Sequence, residues 1–375
     1  MNVQVRNRVS TRAALAVILI FLHGCAGRPD PTVLESITSP VPPGVRTVRV
    51  YAATTRGRVV PTANRFSDQF SLATSYASFD VSVPPDHRVG QIEWPKGKPD
   101  SRNSFAVRKQ AVLDQSTFLD AVVRAPLKGD TGVFVHGYNT SFEEGVFRLA
   151  QMAADSDLGG VPILFAWPSQ AALTGYLTDK EAATASRDNL VALLSELTDR
   201  RKGKDITVFS HSMGAWLLME ALRQLKLQGR DDVLARLRVF LASPDIDESV
   251  FQAQLAVIGK MRKPITIFVS KDDVALRLSG FLTGNRQRLG ALDVASQSVI
   301  EASRRNGVQI VDISQLDARD RLRHDRYAAL AGIRRAAGGT GRDRSILNEA
   351  GAFVLNISGA ILSAPPTIAG TASNQ

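Results

Sequence analysis

Residues 46–330 read as an α/β domain: a doubly wound, mainly parallel sheet with antiparallel strands at its N-terminal edge. Three observations predict this. From residue 131 onward, short apolar runs alternate with helical patterns, the signature of a parallel sheet covered on both faces. The runs are rich in β-branched and aromatic residues, as strands are. Ahead of them, two stretches alternate in polarity and so read as earlier, antiparallel strands of the same sheet.

In chain order, Arg6, Arg8 and Arg12 form a basic region before the apolar run Ala13–Leu22, which is too short to span a bilayer and fits a signal segment. The run ends in Leu22-His23-Gly24-Cys25, which resembles a bacterial lipoprotein box, so residues 1–25 are expected to be a signal peptide and Cys25 a lipidation site. Cys25 is the only cysteine, so no intramolecular disulfide can form. Ala26 follows it, and by resemblance to Gram-negative lipoproteins this favours the outer membrane, with the protein facing the periplasm. Residues 26–45 carry five prolines and read as a tether.

The first strands are expected at Val48–Ala53 and Phe79–Val83, followed by a helix over 113–124. The parallel strands are expected at 133–135, 163–165, 206–209, 237–241, 265–269 and 308–313. Helices are expected at 141–154, 180–199 and 213–226, where leucine and other apolar residues recur at intervals of three and four. A C-terminal extension, 331–375, contains an apolar stretch at 350–364, read as a packed helix or a surface-associating tail, and ends in a small, polar, disordered segment.

Composition sets outer limits. The chain has 375 residues, 44% hydrophobic and 22% charged, which suffices for a large core. Its formal charge of +10 is scattered in short runs such as Arg200–Lys202, without a basic stripe interleaved with aromatics, which argues against a nucleic-acid partner. No histidine–cysteine–carboxylate spacing suits a metal site, and no glycine-rich phosphate loop follows a strand, so no cofactor is expected.

The chemistry centres on Ile206–Leu217, where an apolar strand runs into an apolar helix with Ser212 at the turn. Ser210-His211-Ser212-Met213-Gly214 resembles the G-x-S-x-G nucleophile elbow of α/β-hydrolases, with Ser210 in place of the first glycine. The strained turn and the close return of the helix demand small residues at 210 and 214. A serine nucleophile needs a base, and His324 is the one histidine after the elbow, in a loop beyond the last strand, where the order Ser…Asp/Glu…His places it. The orienting acid belongs after a strand between these two. Asp272 or Asp273 is favoured by strand count, and Asp245 or Asp247 is the alternative, with a helix cap or turn as the plainer role for Asp245. Two backbone N–H groups must face the developing oxyanion. Met213 supplies one by position, and Tyr138 in the His136-Gly137-Tyr138 loop is the candidate for the other, with Gly137 allowing close approach and His136 holding the loop.

Several segments together resemble the bacterial α/β-hydrolases of the DUF900 group, in the esterase/lipase superfamily: VYAATTR at 50–56, VFVHGYNTSF at 133–142, LFAWPS at 164–169, SHSMG at 210–214, SPDID at 243–247 and SKDDVALRLS at 270–279. The resemblance covers roughly residues 47–327 and aligns Asp273, not Asp272, with the acid. It implies acyl transfer through Ser212, Asp273 and His324. The expected activity is hydrolysis of a small-molecule or lipid ester at the cell envelope. An amidase, thioesterase or acyltransferase with the same residues, or a catalytically silent binding lipoprotein, are the alternatives.

Overall fold

A computed structural model describes residues 28–40, 42–125, 131–156, 160–318 and 320–330, together with the backbone of 354–355 and 361–362. Among the described residues, eleven strands, numbered β1 to β11 in chain order, form one sheet in the order β11-β10-β9-β8-β7-β6-β4-β5-β1-β2-β3. Three N-terminal strands, β1 (Arg46–Arg58), β2 (Phe66–Val83) and β3 (Ala106–Leu113), pair antiparallel. Next comes the parallel series β4 (Thr131–Val135), β5 (Val161–Ala166), β6 (Ile206–His211), β7 (Leu237–Ala242), β8 (Thr266–Val269) and β9 (Gln309–Asp312). β1 joins the two parts through a parallel pairing with β5. The fold is the doubly wound, mainly parallel α/β class with antiparallel N-terminal strands that the sequence pattern predicts.

Successive residues along the central strands enter opposite layers, as the period of two requires. Val133, Ile163 and Val208 pack into one core, beneath α1 (Gln115–Arg124), α4 (Arg187–Arg200) and α5 (Met213–Leu227). Phe134 and Leu164 turn to the other core, under α2 (Phe142–Ser156), with Phe79 and Tyr327. Both faces are covered, which is why these strands read as apolar runs.

Three expectations are modified. The helix expected over 180–199 is two helices, α3 (Tyr176–Ala185) and α4, divided at Ser186. The Ser186 hydroxyl is buried and bonds both the Ala182 carbonyl, 2.8 Å away, and the Thr55 hydroxyl, also at 2.8 Å, which fixes the break against β1. The proline-rich segment lies on the domain: Val33 and Leu34 are buried, and the Ile37 N–H donates to Val107 O. In the C-terminal apolar stretch, the described pieces are strands rather than a helix. β10 (Val354–Leu355) pairs antiparallel with β9, and β11 (Ile361–Leu362) pairs with β10. The signal segment, Cys25, most of the C-terminal extension and its tail lie outside the described residues. Among the described residues no helix is long and apolar enough to cross a membrane.

Candidate active site

Ser212 joins β6 to α5 with φ 52° and ψ −120°, a left-handed φ that side chains other than glycine's avoid. Two backbone bonds over-determine the turn. The Ser212 N–H donates to Ala242 O at 3.0 Å, and its carbonyl accepts from Asp245 N–H at 3.2 Å. This is the geometry of an elbow, held by the neighbouring strand.

Gly214 shows why the following helix needs a small residue. A Cβ there would lie 2.3 Å from His136 O and 2.6 Å from Val135 O, both rigid backbone. Gly214→Ala is therefore expected to destabilise the fold by about 3 kcal/mol or more, through strain that neither strand nor helix can relax. Chemical denaturation checks this. Wild-type stability in the variant would mean that α5 does not pack this closely on β4. Ser210, in place of the usual glycine, is fully buried and donates its hydroxyl to Phe240 O at 3.3 Å, so the small polar side chain is accommodated without an unpaired group.

The His136–Tyr138 loop rests against the elbow. A Cβ on Gly137 would come within 3.0 Å of Ser212 Cβ and 2.8 Å of His211 Nδ1, so glycine lets this backbone touch the serine. His136 is held between Gly137 O at 2.9 Å and Trp167 O at 3.1 Å and stacks on the Trp167 ring, while Trp167 Nε1 donates to His136 O at 2.8 Å. Burial pushes its pKa down to about 3, so it stays neutral. The Tyr138 hydroxyl donates to Leu173 O at 2.6 Å, and its ring packs edge-on against Tyr176 at 5.5 Å. Met213 opens α5, where the first N–H groups have no intrahelical acceptor.

The two neighbouring aspartates divide their tasks. Asp273 is fully buried, and Oδ2 lies 2.7 Å from His324 Nδ1. Its Oδ1 caps α8 (Val274–Leu282) by accepting from Leu276 N–H at 3.0 Å. Asp272 instead binds Arg326 at 2.6 Å and Arg323 at 2.8 Å. Burial opposes the charge of Asp272, but those partners and Ser270 hold its carboxyl well below the usual range. Asp272 thus fastens the histidine loop, and Asp273 touches the histidine. No hydrogen bond joins the Ser212 hydroxyl to His324. Such contacts are commonly long in unliganded hydrolases and tighten around substrate.

The other candidates have structural partners. Asp247 caps α7 (Glu248–Ile258), which follows the short α6 (Asp231–Leu234), by accepting from Ser249 and Val250 N–H. Asp245 is not a cap or turn residue. It is buried and accepts from Tyr176 at 2.9 Å and Ser279 at 2.6 Å, with Arg288 Nε 3.2 Å away.

Four supporting residues escape a reading from sequence. His211, whose backbone belongs to the elbow, sends its ring under the histidine loop: Nε2 lies 3.3 Å from His324 O, and the ring stacks on Tyr327 at 4.1 Å. Asp320 accepts the His324 N–H at 2.8 Å. Asp179, from a stretch that looks like a solvated helix face, is buried and binds the Ser169 hydroxyl and the Gln170 and Asn139 N–H groups. Arg56 is also buried and donates to Thr140 O at 2.9 Å. The conspicuous "TTR" at the end of β1 was the one available signal for Arg56.

A family model described as an alpha/beta hydrolase of unknown function (DUF900) matches residues 114–339, from the cap of α1 to beyond the histidine loop. No curated protein matches the chain. The family match covers more than half of the sequence and includes the elbow, its flanking loop and both aspartate turns, so the protein belongs to the DUF900 family of α/β-hydrolases, with hydrolysis of a small-molecule substrate as its class of activity.

Proposed function

We propose that the protein is a serine hydrolase of carboxylic esters, acting through an acyl-enzyme on Ser212. The observation that carries this reading is the 2.7 Å contact between Asp273 and His324 on a loop packed against the strained elbow. Asp273 accepts the Nδ1 proton of His324, which leaves Nε2 unprotonated to take the Ser212 proton as Oγ bonds to the carbonyl carbon. The Met213 and Tyr138 N–H groups bear the tetrahedral oxyanion. His324 then returns the proton to the alkoxy oxygen as the C–O bond breaks. Water, deprotonated by the same histidine, releases the acid and restores Ser212. No cofactor enters these steps.

The envelope reading rests on the sequence. Cys25 after the apolar run is the proposed lipid attachment, and it fastens the enzyme to the membrane.

A fluorophosphonate probe tests the active site: wild type becomes labelled, and a folded wild type that resists the probe overturns the reading. Ester and amide panels then test the substrate class, with esters expected to turn over. The pH profile has a definite sign. Burial works against the charged form of His324, but Asp273, by charge and hydrogen bond, together with Asp320 and Asp245 outweighs it, so the histidine's pKa is raised. Since the base must be neutral, kcat/KM climbs with pH and reaches half its plateau above the ordinary imidazole value of about 6.5. An acid limb centred below that value would remove Asp273 as the controlling partner.

A further inference from the structure

Arg28, the first described residue, is pinned beside the elbow's flanking loop. Its guanidinium lies 2.7 Å from Glu144 Oε2 and 3.1 Å from Asn139 O, and it also bonds the Asn139 side chain. Asn139 is two residues from Gly137, which touches Ser212. The chain therefore enters the domain next to the candidate active site. Only Ala26 and Gly27 separate Arg28 from Cys25, so the proposed lipid attachment lies at most about 11 Å along the chain from this pin.

The same end of the sheet carries exposed apolar side chains. β1 is paired with β5 as far as Thr54 and Ala166, near the carboxyl end of β5, and then continues into a hairpin with β2 that projects past it. That hairpin exposes Val59 and Leu72. Tyr176 of α3 and Ser279 of α8 both bond Asp245, whose N–H holds the Ser212 carbonyl, so these two helices flank the elbow. Their outer surfaces expose Leu177, Phe281 and Leu282, and Leu173 lies just before α3. These six residues are 46–86% exposed. Of the twelve large apolar side chains exposed among the described residues, these six and Val60 and Phe70 of the same hairpin lie on segments at this end, a concentration that marks an interaction surface.

We propose that the carboxyl end of the sheet, bearing Val59, Leu72, Leu173, Leu177, Phe281 and Leu282, rests on the lipid bilayer that holds the N-terminus, so that Ser212 opens toward acyl lipids of that bilayer. The inference rests on the reading of Cys25 as lipidated and of Ser212 as an esterase nucleophile. The position of the chain's entry selects the bilayer as the occupant: an anchor tied within a few residues of this face brings this face to the membrane. The net charge, +10 for the full sequence and +7 once Arg6, Arg8 and Arg12 leave with the signal segment, adds attraction to anionic headgroups. The proline-rich segment then acts as a strap along the domain, not as a loose spacer, and it orients the enzyme as well as retaining it.

Depth-dependent quenching tests the orientation. The full chain, purified with its native N-terminus, is reconstituted on vesicles of phosphatidylethanolamine and phosphatidylglycerol containing nitroxide lipids. An environment-sensitive thiol dye is placed at Leu177→Cys, at Phe281→Cys and, as a control, at Leu227→Cys. Leu227 ends α5, about 22 Å from the elbow along the helix axis, and is also exposed. The dyes at 177 and 281 are expected to be quenched several-fold more than the dye at 227. Equal quenching at the three positions, or none, overturns the docking. Wild type is expected to take no thiol dye because the Cys25 sulfur carries lipid. Labelling of wild type overturns the anchor and the orientation together. Turnover of a soluble short-chain ester judges the hydrolase reading separately, because its absence leaves the quenching contrast to decide the docking.

Discussion

Ser212→Ala is expected to abolish fluorophosphonate labelling and to lower ester turnover by about 10⁴-fold or more, because no other hydroxyl can form the acyl-enzyme. Ser212→Gly is expected to be equally inactive. The two variants should nevertheless differ in stability. At φ 52° and ψ −120°, the backbone of Ser212 sits where any Cβ is strained, at a cost of order 1–3 kcal/mol. Alanine keeps that strain and glycine relieves it, although glycine also loses more chain entropy on folding. The net expectation is that Ser212→Gly is more stable than Ser212→Ala by about 1 kcal/mol, read from denaturant midpoints with unchanged slopes. Equal midpoints would mean that the strain at the elbow is no larger than the entropy glycine loses on folding. Residual labelling in either variant would mean that the nucleophile lies elsewhere.

The parts of this fold legible in the sequence are those with buried faces. β4, β5, β6 and β7 are covered on both sides and betray themselves as apolar runs ending in small residues or turns. β3 and the first half of β2 escape the same reading. Phe66–Ala73 lies in the projecting hairpin, where much of the strand faces solvent and no alternation develops, and β3 carries Arg108, Lys109 and Gln110 in its middle because it forms the exposed edge of the sheet. The break at Ser186 is hidden for a different reason: neither glycine nor proline marks it, and only the tertiary bond to Thr55 shows why the helix stops.

At the site, the motif and the chain order single out Ser212, Gly214 and His324 as candidates. The supporting carboxylates Asp179, Asp245 and Asp320 do not emerge in these roles. An aspartate that holds a loop through buried bonds is indistinguishable in sequence from one facing solvent, because its partners are distant in the chain. Asp179 contacts residues 10 and 40 positions away, and Asp245 contacts Tyr176 from 69 positions away.

The adjacent pair Asp272 and Asp273 supplies the sharpest test of the mechanism, since the two substitutions should fail in different ways. In Asp273→Asn, the side-chain oxygen that caps α8 can be kept, and the amide group is then turned toward His324 Nδ1. An NH₂ group there favours the tautomer with the proton on Nε2, which cannot accept the Ser212 proton. The expected loss in kcat is about 10⁴-fold with the fold intact, the size that neutralising a triad acid has in serine hydrolases. The acid limb of the pH profile should also move to lower pH, because the charge that raises the histidine's pKa is gone. Asp272→Asn removes no contact to the imidazole. It weakens the ion pairs to Arg326 and Arg323 that fasten the loop, and because Asp272 is about one-third exposed, the expected cost in stability is roughly 1 kcal/mol. Activity should fall about tenfold at most through poorer positioning, with the acid limb where wild type has it. If Asp272→Asn proved the more damaging to kcat, or if it alone displaced the acid limb, the orienting acid would be Asp272 and the contact between Asp273 and His324 would serve only to cap and pack α8. Measuring the two pH profiles side by side separates these outcomes, because a merely structural aspartate lowers the amount of active enzyme without moving the histidine's titration.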